Sequence, residues 1–169
     1  MDAVKCLLER RSCRSYKKEQ ITDAELKIIL DAGLNAPSGM NRQDTKIIVV
    51  QDPEKVAKLS KMNADVMGAA HDPFYGAPTV TVIVAPGETR NNIKDGSLVI
   101  GAMQSAAYAI GVGSCWINRA EEMLKTEEGE AVLAELGLEG YVGVGCCILG
   151  YVETALPEKE IKEGRIVKY

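Results

Sequence analysis

The feature that most restricts how this chain can fold is a long predicted helix over residues 95–111, built mainly from small and apolar residues. A helix that is apolar nearly all round has to be buried, because it has no polar face to turn toward water. It is therefore either a central core helix or a helix that packs against its symmetry mate, since a dimer interface can resemble a domain core cut in half. Its small residues are Gly96, Ser97, Gly101, Ala102, Ser105, Ala106, Ala107 and Ala109.

Strand-like and helix-like segments alternate along the chain. The β-branched or apolar runs typical of strands are residues 45–53, residues 76–86, the stretch "GSCWIN" and residues 141–153. Helical spacing marks the N-terminus, a segment that starts at the capping box of Thr22 and Glu25, a segment from Pro53, and one continuous amphipathic helix over residues 121–136. The alternation predicts an α/β or α+β fold, and 169 residues suit a single domain.

Composition argues against nucleic acid and membranes as partners. The formal net charge is -4, so the chain as a whole has no electrostatic attraction to a polyanion. The longest apolar segment, residues 98–113, is interrupted by Gln104 and Ser105 and falls short of the roughly 20 residues that a membrane span needs. The N-terminal stretch is too charged to be a signal peptide, and we expect a cytoplasmic protein.

The chain offers little for metal binding or nucleophilic catalysis. Its five cysteines form no C-x-x-C pair, and an odd number without a signal peptide favours reduced thiols. His71 is the only histidine, which argues against a mixed Cys/His zinc site and against a His-based triad. Neither a P-loop nor a G-x-G-x-x-G fingerprint occurs. We expect no metal site and no catalytic side chain.

The basic segment, residues 10–18, holds five cations and no acid within this acidic chain. Its first part, "RRSCRSY", offers three arginines and two serine hydroxyls near a predicted helix end. Guanidinium forks and hydroxyl donors suit a phosphate monoester, whereas nucleic acid would require a wider basic surface with aromatic residues. The segment predicts a site for a small phosphorylated ligand, with a solvated basic turn as the alternative. Lys17 and Lys18 fit a solvated lead-in to the next helix.

A second polar group, the amide loop (residues 37–43, "PSGMNRQ"), follows the second predicted helix. Its side chains include Ser38, Asn41, Arg42 and Gln43. Asn and Gln both donate and accept hydrogen bonds, so they suit the edge of a heteroaromatic ring. Taken alone, the loop would be a turn and nothing more.

Six segments, read in order, together resemble the FMN-dependent nitroreductase family. They are "ERRSCRSY", "NAPSGMNRQ", "FYGAPTVTVIV", "KDGSLVIGAMQSAAYAIGVGSCWI", "LGLEGYVGVGCCILGYVE" and "KEGRIVKY". The resemblance spans essentially the whole chain. It implies an α+β sandwich, with a central mostly antiparallel sheet flanked by helices and a dimer formed through the long central helix. Residues 1–169 would form one FMN-binding domain, with residues 154–169 as an extension that wraps the partner subunit.

Carried onto this sequence, the resemblance implies an FMN site shared between two protomers. The phosphate and ribityl chain or the pyrimidine edge would contact Arg10, Ser12 and Arg14, with Arg11 close by. From the other protomer, the flavin would be approached by Pro37, Ser38, Gly39 and Asn41, with Gln43 near. Backbone around Ile117 and Asn118 would face the ring near N5, and Lys162 or Arg165 would complete the phosphate site.

The implied activity is transfer of electrons from NAD(P)H through FMN to a small organic oxidant such as a nitroaromatic or quinone, in a ping-pong cycle. No protein nucleophile is needed, because the flavin carries the chemistry. The alternatives are a flavin carrier or redox sensor without turnover, a flavin enzyme of different chemistry (reductive dehalogenation or flavin cleavage), and a small phosphate-ligand-binding protein without flavin.

The sequence departs from the family pattern at three places. The family loop usually continues Gln-Pro-Trp, whereas this chain has Gln43, Asp44 and Thr45. The tail has Ile161 where an Arg is common, which leaves its phosphate ligand open. The segment between Lys46 and Gly76 is too short for the helical excursion that covers the flavin in longer members. We expect an open substrate site with little built-in specificity.

Overall fold

A four-stranded antiparallel sheet forms the centre of the molecule in the computed structural model, which describes residues 2–156 and 158–169. The strands are β1 (Lys46–Val50), β2 (Thr79–Pro86), β3 (Gly113–Ile117) and β4 (Tyr141–Gly150). They lie in the order β1-β2-β4-β3, and every neighbouring pair is antiparallel. The central pair, β2 and β4, is almost completely buried, as expected for apolar runs covered on both faces.

Six α-helices and one short 3₁₀ turn surround the sheet in the described residues 2–156 and 158–169. The helices are α1 (Ala3–Glu9), α2 (Asp23–Leu34), α3 (Pro53–Met67), α4 (Asn92–Ala109), α5 (Ala120–Leu124) and α6 (Glu127–Glu135), and the 3₁₀ turn is Gly39–Asn41. None of the helices in these ranges is both long and apolar enough to cross a membrane.

The helices cover both faces of the sheet and so form two hydrophobic layers. On one face, α2 and α4 pack with the sheet through residues such as Ile29, Ile100 and Met103. On the other face, α3, α5 and α6 contribute Leu59, Met123 and Leu133. This is the α+β sandwich with a central antiparallel sheet that the sequence predicts, and that part of the prediction is confirmed.

The start of α2 forms where the capping box predicts it. The Thr22 Oγ1 accepts a hydrogen bond from the Glu25 N–H (3.2 Å), and the Thr22 N–H donates to Glu25 Oε2 (2.9 Å). The reciprocal bonds satisfy two amide groups that a helix start would otherwise leave unpaired. The Tyr151 hydroxyl also donates to Glu25 Oε2 (2.6 Å), so the cap ties α2 to the residue after β4.

The prediction of one continuous helix over residues 121–136 is wrong. The chain forms α5 and α6 with a break between them, and Thr126 caps α6 by accepting from the Gly129 N–H (3.1 Å). Gly129 also packs so closely on the backbone of Met123 and Leu124 that a Cβ atom there would overlap it. Apolar spacing continues across the break, which is why periodicity alone does not reveal it.

The long helix α4 has two different faces. Its inner face packs on β2 and β4, and a Cβ at Gly96 would lie only 2.7 Å from a methyl of Val144. Its outer face has no such neighbour: Gly101 has no other group of the described chain within 4 Å of a Cβ position, and Leu98 is half exposed. The core-helix interpretation therefore holds for the inner face, and the outer face is open.

Candidate functional site

The first part of the basic segment is fixed against β3 and against the chain that follows β4. Ser12 forms a parallel bridge with Ser114 at the start of β3, and Tyr16 forms an antiparallel bridge with Val152 beyond β4. The Cys13 N–H donates to the Ser114 carbonyl (2.9 Å), and the Tyr16 hydroxyl donates to the Cys13 carbonyl (2.8 Å). Backbone pairing and a buried tyrosine thus hold the three arginines of this segment in place.

The arginines line a basic cavity of about 360 Å³. Its lining residues are Arg10, Arg11, Ser12, Arg14, Glu158, Lys159 and Glu160. The structure therefore brings together the four residues of the basic segment that the sequence assigns to one ligand. Lys17 and Lys18 are exposed and do not line the cavity, as their assignment to a solvated lead-in requires.

Arg10 and Arg11 differ in their hydrogen bonds within the chain. Arg11 donates to the carbonyls of Leu8 and Arg10 (2.8 Å each), so it caps the end of α1. Arg10 is different, because its Nη1 is buried and has no hydrogen-bond partner within residues 2–156 and 158–169. Such a group is costly to bury unless something binds it. The unsatisfied Arg10 nitrogen points to an anion as the missing partner.

The positive charge of the cavity reaches the start of β3. Burial raises the pKa of the Cys115 thiol, and the nearby Arg14, Ser12 and Arg10 oppose that rise. The thiol thus stays protonated in a buried position, which fits an inert cysteine better than a nucleophile. Ile117 and Asn118 lie at the other end of β3, about 10 Å from Ser114 at the usual rise of a strand.

The amide loop has an unusual backbone. Met40, Asn41 and Gln43 all adopt positive φ, with values of 57°, 54° and 53°. Left-handed backbone is uncommon outside glycine, and runs of it concentrate at ligand clamps. Hydrogen bonds within the loop support it: the Gln43 N–H donates to Ser38 Oγ (3.1 Å), and the Gln43 side-chain amide donates to Asn41 Oδ1 (2.9 Å).

One buried carboxylate attaches the amide loop to the fold. The Gly39 N–H donates to both carboxylate oxygens of Asp95 (3.1 Å each), and Asp95 lies buried in the first turn of α4. Most of the loop's side chains remain exposed, Met40 at 88%. Pro37 and Ser38 line a separate small cavity of about 220 Å³ below the loop, with Asp95 and Thr45.

The two predicted halves of the site lie at opposite ends of α4. Next to the basic segment, Cys6 of α1 donates through its thiol to the Ser105 carbonyl near the C-terminal end of α4 (3.1 Å). The amide loop binds Asp95 near the N-terminal end. These two attachment points are about 15 Å apart along the helix. Within one chain, the structure therefore does not bring the amide loop to the basic cavity.

The tail contributes to the basic cavity through residues that the sequence did not single out. Lys159 lines it, between Glu158 and Glu160, whereas Lys162 and Arg165 are exposed and lie outside the lining. The tail is polar and aperiodic, so no pattern distinguishes one of its cations from another. A second missed residue is Asn63, whose buried side chain binds the Asn118 carbonyl (2.9 Å). A polar residue on the apolar face of α3 is the signal that could have identified it.

Comparisons with known proteins agree with this architecture. The sequence model of the nitroreductase family matches residues 7–73. A protein of Archaeoglobus fulgidus, provisionally named NADH dehydrogenase/NAD(P)H nitroreductase, is 31% identical over 89% of this chain and 85% of its own length. A Thermus thermophilus protein named NADH dehydrogenase is 39% identical, but this match spans 50% of the chain and only 39% of that protein.

Two solved structures match the whole chain. A nitroreductase with bound FMN from Bacteroides fragilis has a TM-score of 0.91 and 28% identity, covering 100% of this chain and 99% of that one. A nitroreductase with bound FMN from Desulfitobacterium hafniense has a TM-score of 0.88 and 26% identity over the same shares. Given this fold and the relative that is similar over most of both lengths, the chain belongs to the nitroreductase family.

Proposed function

We propose that this protein is an FMN-dependent oxidoreductase that passes electrons from NAD(P)H to a small organic acceptor, such as a nitroaromatic or a quinone, by a ping-pong mechanism. The observation that carries the proposal is the buried, unpartnered nitrogen of Arg10, a residue that lines a cavity together with two further arginines. Relatives named for NAD(P)H and FMN and the FMN-bound nitroreductase structures support the choice of cofactor and electron donor.

The residues present fit the phosphate end of FMN. Arg10 and Arg14 offer charge-assisted hydrogen bonds, and Ser12 adds a hydroxyl donor. Lys159 supplies a further cation from the tail, partly offset by Glu158 and Glu160. We assign the phosphate and ribityl chain to this cavity, and the ring to the far end of β3 near Ile117 and Asn118.

In the reaction, the protein binds the FMN cofactor and orients it. When bound, FMN supplies the hydride and electron transfer chemistry. The arginines would hold the phosphate through charge-assisted hydrogen bonds. The amide loop offers donors and acceptors to the ring edge, and no side chain has to act as a nucleophile.

The working form that we propose is a homodimer. The amide loop and the basic cavity are separated in one chain, so a second copy is needed to unite them. The apolar side chains of α1 and the tail also lie uncovered in the described part of the chain: Leu7, Leu8, Ile166 and Val167 are between 67% and 90% exposed. Covering such residues between two copies would remove a large apolar area from water. Residues 154–169 would then wrap the partner subunit.

We also place the protein in the cytoplasm. All five cysteines are buried and unpaired by disulfides, as suits a reducing compartment.

The experiment that tests the cofactor assignment is FMN titration of the purified protein, with Arg14→Ala as the variant. Losing one charge-assisted bond at this exposed position should weaken FMN binding about tenfold. Lys17→Ala is the matched control, because it removes the same charge from an exposed residue of the same segment outside the cavity. An FMN affinity of Arg14→Ala equal to that of Lys17→Ala would contradict the phosphate assignment, and no FMN uptake by the unchanged protein would contradict the cofactor itself.

A second experiment tests turnover. Anaerobic NADH or NADPH should bleach the flavin absorbance of the FMN-loaded protein, and a nitroaromatic or quinone should restore it. Absorbance that neither nicotinamide changes would indicate a flavin-binding module or another electron donor.

A further inference from the structure

Asn63 is a fully buried polar side chain on an otherwise apolar helix face. It lies on α3 with Leu59 and Met62 as the other buried residues of that helix, and its exposure is 0%. Helix faces that pack on a core normally carry apolar residues. An asparagine at such a position therefore requires a specific hydrogen-bonding role.

The one role that the structure gives Asn63 is to hold a backbone carbonyl. Its Nδ2 donates to the Asn118 carbonyl oxygen at 2.9 Å. Its Oδ1 is buried and has no partner in the described residues 2–156 and 158–169. The Asn63 amide thus makes a hydrogen bond through its nitrogen and none through its oxygen. This geometry points to the Asn118 carbonyl as the group that Asn63 holds in place.

Fixing this carbonyl also fixes the direction of the next N–H. The Asn118 carbonyl and the Arg119 N–H belong to one planar trans peptide, in which the two bonds point in opposite directions. With the carbonyl drawn inward to α3, the Arg119 N–H is turned away from α3. Arg119 itself is in the left-handed region (φ 74°, ψ 9°), which ordinary residues adopt only when their surroundings enforce it.

We propose that Asn63 is a positioning residue, which holds the Asn118–Arg119 peptide so that its N–H is presented to the ring of the bound flavin. This inference rests on the proposed function for the identity of the ligand and for the position of its ring. The restraint on the peptide does not depend on the ligand, so it can be tested on the protein without FMN.

The first test measures amide hydrogen exchange in the FMN-free protein. In α5, the Met123 N–H donates to the Arg119 carbonyl (2.8 Å), so its protection reports how firmly residue 119 is held. Asn63→Leu removes the donor and also the unpartnered Oδ1, so a folded variant is expected. This variant should exchange the Met123 amide at least tenfold faster than Met62→Leu, the control on the same face. Exchange equal to the control would overturn the proposal.

The second test measures the reduction potential of bound FMN. The N5 atom of oxidised flavin accepts a hydrogen bond, whereas reduced N5 carries a hydrogen, so a fixed N–H favours the oxidised form. Asn63→Leu should lower that preference about tenfold, which raises a two-electron potential by about 30 mV. A merely structural role would leave the potential at the Met62→Leu value, and an unchanged or lower potential would overturn the proposal. If the unchanged protein binds no FMN, the proposed function fails while the exchange test still decides the restraint.

Discussion

The basic segment and the amide loop are attached to the fold in different ways. Residues 12–17 of the basic segment pair with the backbone of β3 and with the residues beyond β4, and its arginines line a shallow, open cavity. The amide loop lies between α2 and β1 and has several residues with left-handed backbone, and the buried carboxylate of Asp95 holds its Gly39 amide. The first region is built into the sheet, whereas the second is shaped by its own local bonds.

The difference suggests a division of labour between the two regions. A site for a charged phosphate gains from rigid cations, because fixed charges need no reorganisation when the ligand arrives. The amide loop instead takes its shape from internal hydrogen bonds and its position from Asp95. Changes in the basic segment should therefore alter ligand binding more than folding, and changes at the loop attachment should alter both.

The largest effect is expected for Arg10→Ala. Losing a buried charge-assisted bond should weaken FMN binding by about 2 kcal/mol, or about thirtyfold. The FMN-free protein should lose little stability, less than about 1 kcal/mol, because the Arg10 Nη1 has no partner to lose. Isothermal titration and chemical denaturation of the same preparations check both parts. A large loss of stability with unchanged FMN affinity would show that the guanidinium serves the fold rather than a ligand.

An intermediate effect is expected for Asp95→Ala, which detaches the amide loop. The Gly39 N–H loses its charged acceptor, so the free energy of unfolding should fall by about 1.5 kcal/mol. FMN affinity should also fall, by about fivefold or less, because the ring edge loses an ordered contact. Urea denaturation and FMN titration measure the two changes. Lys94→Ala, an exposed neighbour on α4, is the control, and equal effects of both substitutions would contradict the attachment.

The smallest effect is expected for Thr45→Val. The Thr45 Oγ1 is buried beside the small cavity under the amide loop and has no partner within the described ranges. Valine has the same shape without the hydroxyl, so the substitution should raise the free energy of unfolding by about 0.5–1 kcal/mol. FMN affinity should not change. A destabilised variant would indicate that a water or a partner group satisfies the hydroxyl.

Local chemistry in the sequence predicts most of the fold. The capping box at Thr22, the β-branched runs of β1 and β2, and the small residues of α4 each leave a pattern that depends only on near neighbours. The break between α5 and α6 escapes helical periodicity, although the cap of Thr126 on the Gly129 N–H is itself a local feature.

Part of the candidate site was also predictable from patterns among near neighbours in the sequence. The arginines of the basic segment form a short motif, and the structure gathers them into one cavity. The tail cation in that cavity, Lys159, depends on where a polar, aperiodic segment folds back. The proposed role of Asn63 depends on a contact between α3 and the Asn118–Arg119 peptide before α5. The two segments are far apart in the sequence, so neither one predicts this contact by itself.

The position of β1 has a consequence for how the protein must be handled. Within residues 2–156 and 158–169, β1 has β2 as its only strand neighbour, so its other edge presents unpaired amides and carbonyls. Open edges recruit strands from any nearby chain. During folding, aggregation can therefore begin at this row of backbone groups. Refolding from dilute solution, where chains meet least often, should yield more folded protein than refolding from concentrated solution.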